Sequence, residues 1–578
     1  MQLVPRQEPW KQSSKFIQLF AEWKILSSAP NQFETQANSP MIPAMAGGIL
    51  LWSAFPPLGL WPLAFAGLFF WLRLVADPKA FARPKSFRVV WLISFLFWMA
   101  TNYFVTLPHW AGFLGWPALS GFLAIYFPFF FASCRAMVHR FGVPILVAAP
   151  ICWVAMEWLR AHVLTGYGLA MLPHTMYQFP LLIQTADIMG GYGTSFLIVL
   201  VAAAAVSAWQ STGKRRIEFA CVGLATVSIA FGYGAWRLSY EPPSTKPPIP
   251  VALIQGSRDV RFELSPEQSQ REWLIQFREY RDLTEQARQR WPDLKLIVWP
   301  ESAFPQADAI PQPNEHQLTS DKRSQILDMR ESAQYCYKIG IGVARMQGDS
   351  TNPTLLNDTI PLLTGGHGYD AVHDDEFNSA FLFDRAGQVC FRYHKMHLVM
   401  FGEYVPLGDL FPSVYKLMPF SRGLDAGTEP EVFDVDGVRF SPSICFESTV
   451  GHLIRRQVQQ LKSAGREPDV LVNLTNDGWF YGSNCLDLHL ACNVFRAVEL
   501  RKPMLVAANT GFSAHIDGSG RLLQRGPRRQ TAILRANVVP DSRTSPYLLL
   551  GDWPAIGLTV VTMLAFLASQ RSRFFVRT

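Results

Sequence analysis

The stretch from Gly190 to Trp209, GGYGTSFLIVLVAAAAVSAW, decides what kind of molecule this sequence encodes. It carries no charged residue, and about 20 apolar residues in a helix are needed to cross a bilayer. The composition of the 578-residue chain agrees, because 49% of it is hydrophobic and only 17% is charged. That apolar content is high for a soluble chain. The sequence therefore predicts a membrane protein.

Further runs of the same character lie on both sides of that stretch, and together they predict a polytopic α-helical domain with about eight transmembrane helices. The eight runs lie at about 41–55, 58–75, 88–107, 117–136, 143–162, 190–209, 217–237 and 553–569. The first 40 residues are polar and have no apolar core followed by a cleavage site. We expect them to be a cytoplasmic extension rather than a signal peptide.

Loops rich in lysine and arginine alternate with loops that lack both residues, and this alternation predicts the orientation of the chain in the membrane. Basic clusters follow the second, fourth, sixth and eighth runs, whereas the loops at 108–116 and 163–189 contain neither residue. Positive charge is retained on the cytoplasmic side, so the segment between the seventh and eighth runs is expected outside the cytoplasm. Much of the net charge of +7 lies in these clusters, so it gives no reason to expect a nucleic-acid partner.

The segment between the seventh and eighth runs has the composition of a globular domain. Short apolar strands alternate there with amphipathic helices, which predicts an α/β fold. The expected strands include 251–255, 296–299 and 470–474, and two hairpins are expected at the turns 384–387 and 517–520. The predicted order begins with a cytoplasmic extension (1–40), seven transmembrane helices (41–238) and a linker (239–248). An extracytoplasmic catalytic domain (249–540), the eighth transmembrane helix (541–570) and a cytoplasmic tail (571–578) follow.

One helix of this domain can be placed from its first residues. Ser265 and Gln268 have the spacing of a capping box, and Pro266 stands at the first helical position. The helix that they open is expected to bury Trp273, Leu274 and Phe277.

Three residues with useful chemistry stand where apolar stretches of this domain end. Glu301 lies in WPES at 299–302, where partial loss of water makes a carboxylate a better proton acceptor. Cys445 lies in SICFE at 443–447, ahead of a helix expected from Ser448, and a helix start stabilises a thiolate. Lys395 lies in YHKMHL at 393–398, after an aromatic strand.

Taken singly, each of these residues has a commoner explanation. A glutamate is usually on the surface or caps a helix, a free cysteine is usually inert and buried, and a lysine is usually solvated. The five cysteines of the globular part have no zinc-type spacing, and their odd number leaves at least one free thiol unless a pair forms between chains. A free thiol outside the cytoplasm suggests a function for that cysteine. Only the combination of Glu301, Lys395 and Cys445 indicates an active site.

Together, these segments and FGE at 401–403 resemble the catalytic segments of the nitrilase superfamily, in that family's order. Outside them, the chain from about 41 to 569 is similar to the apolipoprotein N-acyltransferase family. The segments that carry this second resemblance are FPP at 55–57, EWLR at 157–160, YGTSF at 192–196, NLTNDGWF at 473–480, RAVE at 496–499 and NTG at 509–511.

The resemblance implies a nitrilase-like αββα sandwich with Cys445 as nucleophile, Glu301 as general base and Lys395 as the stabiliser of the oxyanion. Glu403 and Glu447 are implied as supporting carboxylates. The implied reaction moves a fatty acyl chain from a phospholipid, through a cysteine thioester, to the N-terminal amine of a diacylglyceryl-modified apolipoprotein. It uses no cofactor and no metal. The implied location is the bacterial inner membrane, with the catalytic domain on the periplasmic side.

Two other classes of function compete with acyl transfer. A membrane-tethered amidase or nitrilase acting on a small amide would use the same three residues, but it leaves seven preceding spans unexplained. A binding or transport protein without catalysis is disfavoured by the intact Glu301, Lys395 and Cys445.

Two further polar groups invite a functional interpretation. His367, His373 and the run Asp374 to Glu376 could suggest a metal site, but the glycines around them and their spacing predict a solvated loop. Glu157 and Arg160 stand one helical turn apart within a span, where either mutual pairing or contact with a lipid headgroup is expected.

Overall fold

A computed structural model describes residues 40–574 except for 82–84, 241–243, 245, 262–263, 305–307, 312–313, 341–359, 409, 419 and 421. The predicted extension at 1–40 lies outside the described residues apart from Pro40. The last four residues of the predicted tail also lie outside them.

Each of the eight predicted apolar runs contains an α-helix in the described part of the chain. The helices around them are α1 Met41–Ala54, α2 Leu63–Ala76, α3 Lys85–Thr101, α4 Gly112–Leu123, α5 Tyr126–Arg135, α6 Ile145–His162, α7 Gly191–Gln210 and α8 Gly213–Ser239, with α13 Trp553–Phe574 at the far end. Helices α4 and α5 belong to one long span, Gly112–Arg140.

Five of these spans are long and apolar enough to cross a membrane: Gly112–Arg140, Ile145–His162, Gly191–Gln210, Gly213–Ser239 and Trp553–Gln570. The chain is therefore a membrane protein with at least five candidate spans, and the count of eight stays a prediction. At a rise of about 1.5 Å per residue, α1 and α2 are each only about 21 Å long, which is shorter than a hydrocarbon core of about 30 Å.

The globular part contains two β-sheets. Its described strands are β1 Ile249–Gln255, β2 Leu296–Val298, β3 Asp308–Ala309, β4 Leu362–Asp370, β5 Asp375–Phe383, β6 Val389–His394, β7 Phe433–Val435, β8 Val438–Ile444, β9 Val470–Thr475, β10 Met504–Ala508, β11 Ala514–Ile516, β12 Leu522–Arg525 and β13 Ala532–Val538. The first sheet has the order β13-β1-β2-β4-β5-β6 with β3 beside β4, and the second has the order β12-β11-β10-β9-β8-β7.

The two sheets pack face to face, and helices cover their outer faces. Alternate strand residues such as Val251 and Leu253 of the first sheet share one buried cluster with Phe440 and Val472 of the second. The outer helices are α9 Pro266–Arg290 and α10 Ser320–Gly340 on the first sheet, with α11 Gly451–Ser463 and α12 Cys485–Leu500 on the second. This arrangement is the predicted αββα sandwich.

Local predictions mostly hold, with three corrections. The predicted strands, both hairpins and the capping box of Ser265 with Gln268 are present. Leu274, however, is 41% exposed, because the buried side of α9 is formed by Phe277, Tyr280 and Ala287. The segment predicted as a solvated loop near His373 is the turn of the β4–β5 hairpin. Finally, the chain after Cys445 first forms a 3-10 turn, Cys445–Thr449, and α11 begins at Gly451.

Helix α12 joins the globular part to the membrane helices. Every residue from Cys485 to Leu500 is buried, because one side of the helix faces the second sheet and the other faces the loops between spans. Just beyond it, Arg501 donates to the buried Asp187 of a short helix between α6 and α7, at 2.6 Å. Arg237 of α8 contacts the same carboxylate at 2.8 Å. The two parts of the chain therefore share a continuous buried core.

Candidate active site

Three strand ends bring the predicted residues together. Glu301 lies three residues beyond β2, Lys395 directly follows β6, and Cys445 directly follows β8. The first two strands belong to one sheet and β8 belongs to the other. Because the sheets are stacked, the three residues meet at one edge of the sandwich.

Two protein donors hold the Glu301 carboxylate, whose residue is only 5% exposed. Its Oε1 accepts a hydrogen bond from the Asn378 side-chain amide at 2.7 Å, and its Oε2 accepts one from the Asn476 backbone N–H at 2.8 Å. Both oxygens thus have a fixed direction. A buried carboxylate that is oriented in this way is ready to accept a proton from a neighbour without first reorganising.

Lys395 is 1% exposed and lies between two carboxylates. Its Nζ is 2.8 Å from Glu403 Oε1 and 3.6 Å from Glu301 Oε1. Burial disfavours the ammonium, but Glu403 and Glu301 outweigh that effect and raise the pKa of Lys395 above its ordinary value. Burial alone would likewise raise the pKa of Glu403, yet Lys395 keeps it below its usual value. The site therefore contains a permanent buried cation.

Cys445 adopts a left-handed backbone conformation, with φ of 50°, which is uncommon for a residue other than glycine. Its carbonyl oxygen lies within hydrogen-bond distance of Asn473 Nδ2 at 3.2 Å and of His489 Nε2 at 3.0 Å. Loss of water around the sulfur raises the pKa of the Cys445 thiol well above its ordinary value; Glu301 adds to this rise, and Lys395 opposes it. The resting group is a protonated thiol, so its ionisation needs a base.

Glu447 is fully buried and ties the nucleophile turn to the segment after Lys395. Its carboxylate accepts from the backbone N–H groups of Met396 at 2.7 Å and Ile444 at 2.7 Å, and from the Tyr393 hydroxyl at 2.9 Å. Burial raises the pKa of Glu447 to about 7, and these donors oppose the rise. Because all of these hydrogen-bond partners are donors, Glu447 accepts them as a carboxylate and holds the ends of β6 and β8 together.

Some of these contacts were not predicted from the sequence. Asn378 donates to Glu301 and, at 2.7 Å, also to Glu403, and nothing in its local sequence marks it. His489 is equally unmarked. Asn473 and Asn476 lie in the segment 473–480 that carried part of the resemblance, so that signal pointed to the right place without specifying their contacts.

The other candidate groups lie away from this centre. Asp370, His373 and Asp375 form one cluster, at the β4–β5 turn. His162, His452 and Asp552 form a second cluster, where α6, α11 and α13 meet. In the latter cluster the His162 and His452 imidazoles stack with centroids 4.2 Å apart, and His162 Nε2 lies 3.2 Å from Asp552 Oδ2.

Glu157 and Arg160 of α6 have hydrogen-bond partners in other segments. The Glu157 carboxylate accepts from the Leu172 N–H at 2.8 Å and from the Ser195 hydroxyl at 2.6 Å, while Arg160 donates to the Leu169 carbonyl at 2.7 Å. These residues anchor the 163–189 loop and α7 to α6.

Two family models match the chain. The apolipoprotein N-acyltransferase N-terminal domain matches residues 47–204, and the carbon-nitrogen hydrolase family matches residues 251–545. The first match covers most of the preceding membrane helices, and the second covers the two-sheet domain with all five predicted site residues. The predicted nitrilase-like α/β fold is thereby confirmed.

Full-length relatives share the same combination. An apolipoprotein N-acyltransferase of Rhodopirellula baltica is 30% identical over 92% of this chain and 97% of its own length. A protein of the same name from Geobacter metallireducens is 30% identical over 92% of this chain and 96% of its own, and one from Photobacterium profundum is 28% identical over the same shares. The likeness spans both parts of the chain.

Proposed function

This chain belongs to the apolipoprotein N-acyltransferase family, and from that premise we propose that it transfers a fatty acyl chain from a phospholipid to an apolipoprotein. The acceptor is the N-terminal amine of the diacylglyceryl-modified cysteine, and the acyl group travels as a thioester on Cys445. The observation that carries the proposal is the placement of a buried lysine between two carboxylates beside a cysteine, in a domain fused to membrane helices.

Three residues carry the chemistry in this proposal. Cys445 is the nucleophile, Glu301 is the general base, and Lys395 stabilises the negative charge on the carbonyl oxygen. Glu403 keeps Lys395 charged and in place, and Glu447 supports the turn that presents the thiol. The raised pKa of the thiol explains why a base must act in the first step.

In the first half-reaction the Cys445 sulfur attacks the ester carbonyl carbon of the phospholipid while Glu301 takes the thiol proton. The oxyanion that forms is stabilised by the Lys395 ammonium. The carbon–oxygen bond to the glycerol then breaks, and Glu301 returns the proton to the leaving oxygen. Lysophospholipid departs, and the acyl group remains on sulfur.

In the second half-reaction the acceptor amine attacks the thioester carbonyl. Glu301 takes a proton from the attacking nitrogen, Lys395 again faces the oxyanion, and the carbon–sulfur bond breaks. The proton held by Glu301 then returns to sulfur, which restores the thiol. A thioester keeps most of the reactivity of the original ester, so neither step needs a nucleotide or another cofactor.

The same proposal assigns the location. The alternating basic loops support an inner-membrane protein with residues 249–540 on the periplasmic side, held between the spans of 41–238 and 541–570. A membrane-tethered amidase is disfavoured, because the family match over residues 47–204 would have no part in hydrolysing a small soluble amide.

A test uses the purified full chain and phospholipid vesicles without acceptor. We expect one fatty-acyl mass on the peptide that contains Cys445, and we expect neutral hydroxylamine to remove it. Adding a diacylglyceryl-modified lipoprotein peptide should discharge the adduct and acylate the peptide.

Matched cysteine variants control this experiment. C445A should lose both the adduct and the acylation of the peptide, whereas C390S, at an exposed cysteine of the same domain, should keep both. Acylation of the peptide by C445A at the wild-type rate would refute the mechanism. Release of ammonia from small amides without acyl transfer would instead favour the amidase alternative.

A further inference from the structure

A buried histidine lies directly behind the nucleophile turn. His489 is 5% exposed and stands in the first turns of α12, with both ring nitrogens in contact with protein atoms. Its Nδ1 is 3.1 Å from Asp477 Oδ1, and its Nε2 is 3.0 Å from the Cys445 carbonyl oxygen and 2.9 Å from Ser448 Oγ. The ring therefore connects the Asp477 turn with the backbone of the nucleophile.

The chemistry of these partners determines where the protons must be. A carbonyl oxygen can only accept, so the contact with Cys445 requires a hydrogen on Nε2. Asp477 Oδ1 already accepts from the Thr475 hydroxyl at 3.0 Å, and an ionised carboxylate also only accepts, so its contact with the ring requires a hydrogen on Nδ1. A neutral imidazole has only one N–H hydrogen. Its other ring nitrogen would then face an acceptor oxygen of Cys445 or Asp477, and the two lone pairs would repel each other.

The Ser448 hydroxyl fits the doubly protonated ring. Its Oγ lies 3.3 Å from the Cys445 carbonyl, so its own hydrogen can go to that oxygen while the Oγ accepts from His489 Nε2. If the ring were neutral and accepted from Ser448, the carbonyl of Cys445 would face an imidazole lone pair at 3.0 Å. With Asp477 ionised, only the imidazolium gives every contact a donor and an acceptor.

We propose that His489 is held as an imidazolium by Asp477 and acts as a positioning residue for Cys445, whose carbonyl it fixes and whose thiolate it favours. The proposal deepens the proposed function, because it rests on Cys445 being the nucleophile. The left-handed backbone at Cys445 costs free energy, and the donors from His489 and Asn473 offset that cost by holding the carbonyl from α12 and β9.

The charges around the ring agree with this assignment. Burial disfavours the imidazolium, but Asp477 and Glu301 outweigh it and raise the pKa of His489. Two other charged groups lie nearby: Lys395 faces the thiol from the opposite sheet, and Arg496 of the same helix donates to the Ser448 carbonyl at 3.4 Å. The Cys445 residue thus has Lys395, paired with Glu403, near its thiol and His489, paired with Asp477, at its carbonyl oxygen.

The test measures the rate of Cys445 alkylation by iodoacetamide as a function of pH in the full-length protein in detergent. In H489Q the amide can still donate to the carbonyl, but the charge is gone. In H489N a shorter amide stands at the same position, again without the charge. Both variants should show a profile displaced by about one pH unit upward, which is about tenfold slower alkylation at pH 8. H515Q, at another buried histidine, should match the wild type.

An unshifted profile in either H489Q or H489N overturns the proposal, because a purely structural histidine would not move the ionisation of the thiol. If H489Q does not fold, as judged by thermal unfolding, H489N decides alone. Alkylation requires neither phospholipid nor acceptor. A protein that shows these shifts but fails to acylate lipoprotein peptide would therefore refute the proposed function and leave the assignment of His489 intact.

Discussion

Glu301 and Glu403 lie on either side of the same lysine and share the Asn378 amide, yet their other contacts differ. Glu301 lies next to the thiol closely enough to raise its pKa, whereas Glu403 holds Lys395 at 2.8 Å and the Val399 N–H at 2.8 Å. The geometry thus gives the two carboxylates different roles. Glu301 can exchange a proton with the Cys445 sulfur, whereas Glu403 holds the Lys395 ammonium.

We expect E301Q to slow thioester formation about a thousandfold and E403Q about tenfold, because general-base catalysis contributes roughly 10²–10⁴-fold. The measurement is the single-turnover rate of acyl transfer from phospholipid to Cys445. E429Q, at an exposed glutamate, serves as a surface control and should keep the wild-type rate. Equal losses in E301Q and E403Q would contradict the separate roles.

A site residue could be predicted from the sequence where a reactive side chain follows an apolar strand within one short segment. Glu301, Lys395 and Cys445 each follow an apolar strand, so their placement at strand ends could be inferred locally. Asn378 could not, because it reaches Glu301 only through the register of β4 with β5, which sets His367 opposite Asn378. An amide in a strand has no local feature that reveals which distant carboxylate it will meet.

At the scale of elements, β4 passes unusually close to the segment that carries Glu301. A Cβ on Gly365 would lie 2.5 Å from Glu301 Cα and 3.0 Å from the Pro300 carbonyl oxygen, and the Gly365 N–H donates to that same oxygen at 3.1 Å. Only a residue without a side chain permits this approach. Gly365, one of the glycines that suggested a loop from the sequence, is therefore required by close packing inside a hairpin.

We expect G365A to slow thioester formation by about a hundredfold, since a shift of about 1 Å in a catalytic group has that order of effect. G366A is the matched control on the same strand, because its Cβ would meet side-chain atoms of Phe381 at 3.1 Å and Phe304 at 3.5 Å. A contact of 3.5 Å is of ordinary van der Waals length, so only the Phe381 ring has to shift, by a few tenths of an ångström. Both variants are compared in single-turnover rate and in thermal unfolding, and a G365A rate equal to that of G366A would show that the contact is irrelevant.

Element boundaries near the nucleophile were harder to predict than the strands. A helix starting at Ser448 follows from the residue types, but Glu447 accepts the Ile444 N–H at 2.7 Å and His489 contacts the Cys445 carbonyl. These tertiary contacts tighten the chain into the turn Cys445–Thr449 before the α-helix begins. The signal for that turn lies in other strands and helices, so local periodicity does not contain it.

At the scale of the molecule, hydrophobicity predicted where the helices lie but not how the two parts dock. The apolar runs are recognisable because burial in lipid requires a continuous apolar surface. The cluster in which Asp187 accepts from Arg501 and contacts Arg237 joins residues that are more than 300 positions apart. Those three charges gave no local sign of being buried together.

The last prediction concerns orientation, and the structure shows which positions can test it. Ser86, near the start of α3 among the basic residues that follow the second run, is 4% exposed, so a probe would miss a cysteine there on either side of the membrane. Thr212, between α7 and α8, and Ser463, at the end of α11, are both exposed. Basic residues 214–216 follow Thr212, which predicts that it lies in the cytoplasm, whereas Ser463 belongs to the domain expected outside.

We therefore expect a membrane-impermeant maleimide to label S463C in spheroplasts and to label T212C only after the membrane is permeabilised. The exposed native residues Cys221 and Cys390 are first replaced by serine to remove background, and the variant without new cysteines is the control. Each labelled variant must also acylate lipoprotein peptide, so that a misfolded chain is not scored. Labelling of T212C but not S463C in intact spheroplasts would invert the topology and place the thiol on the side opposite to the one proposed, where the alternating basic loops would have no explanation.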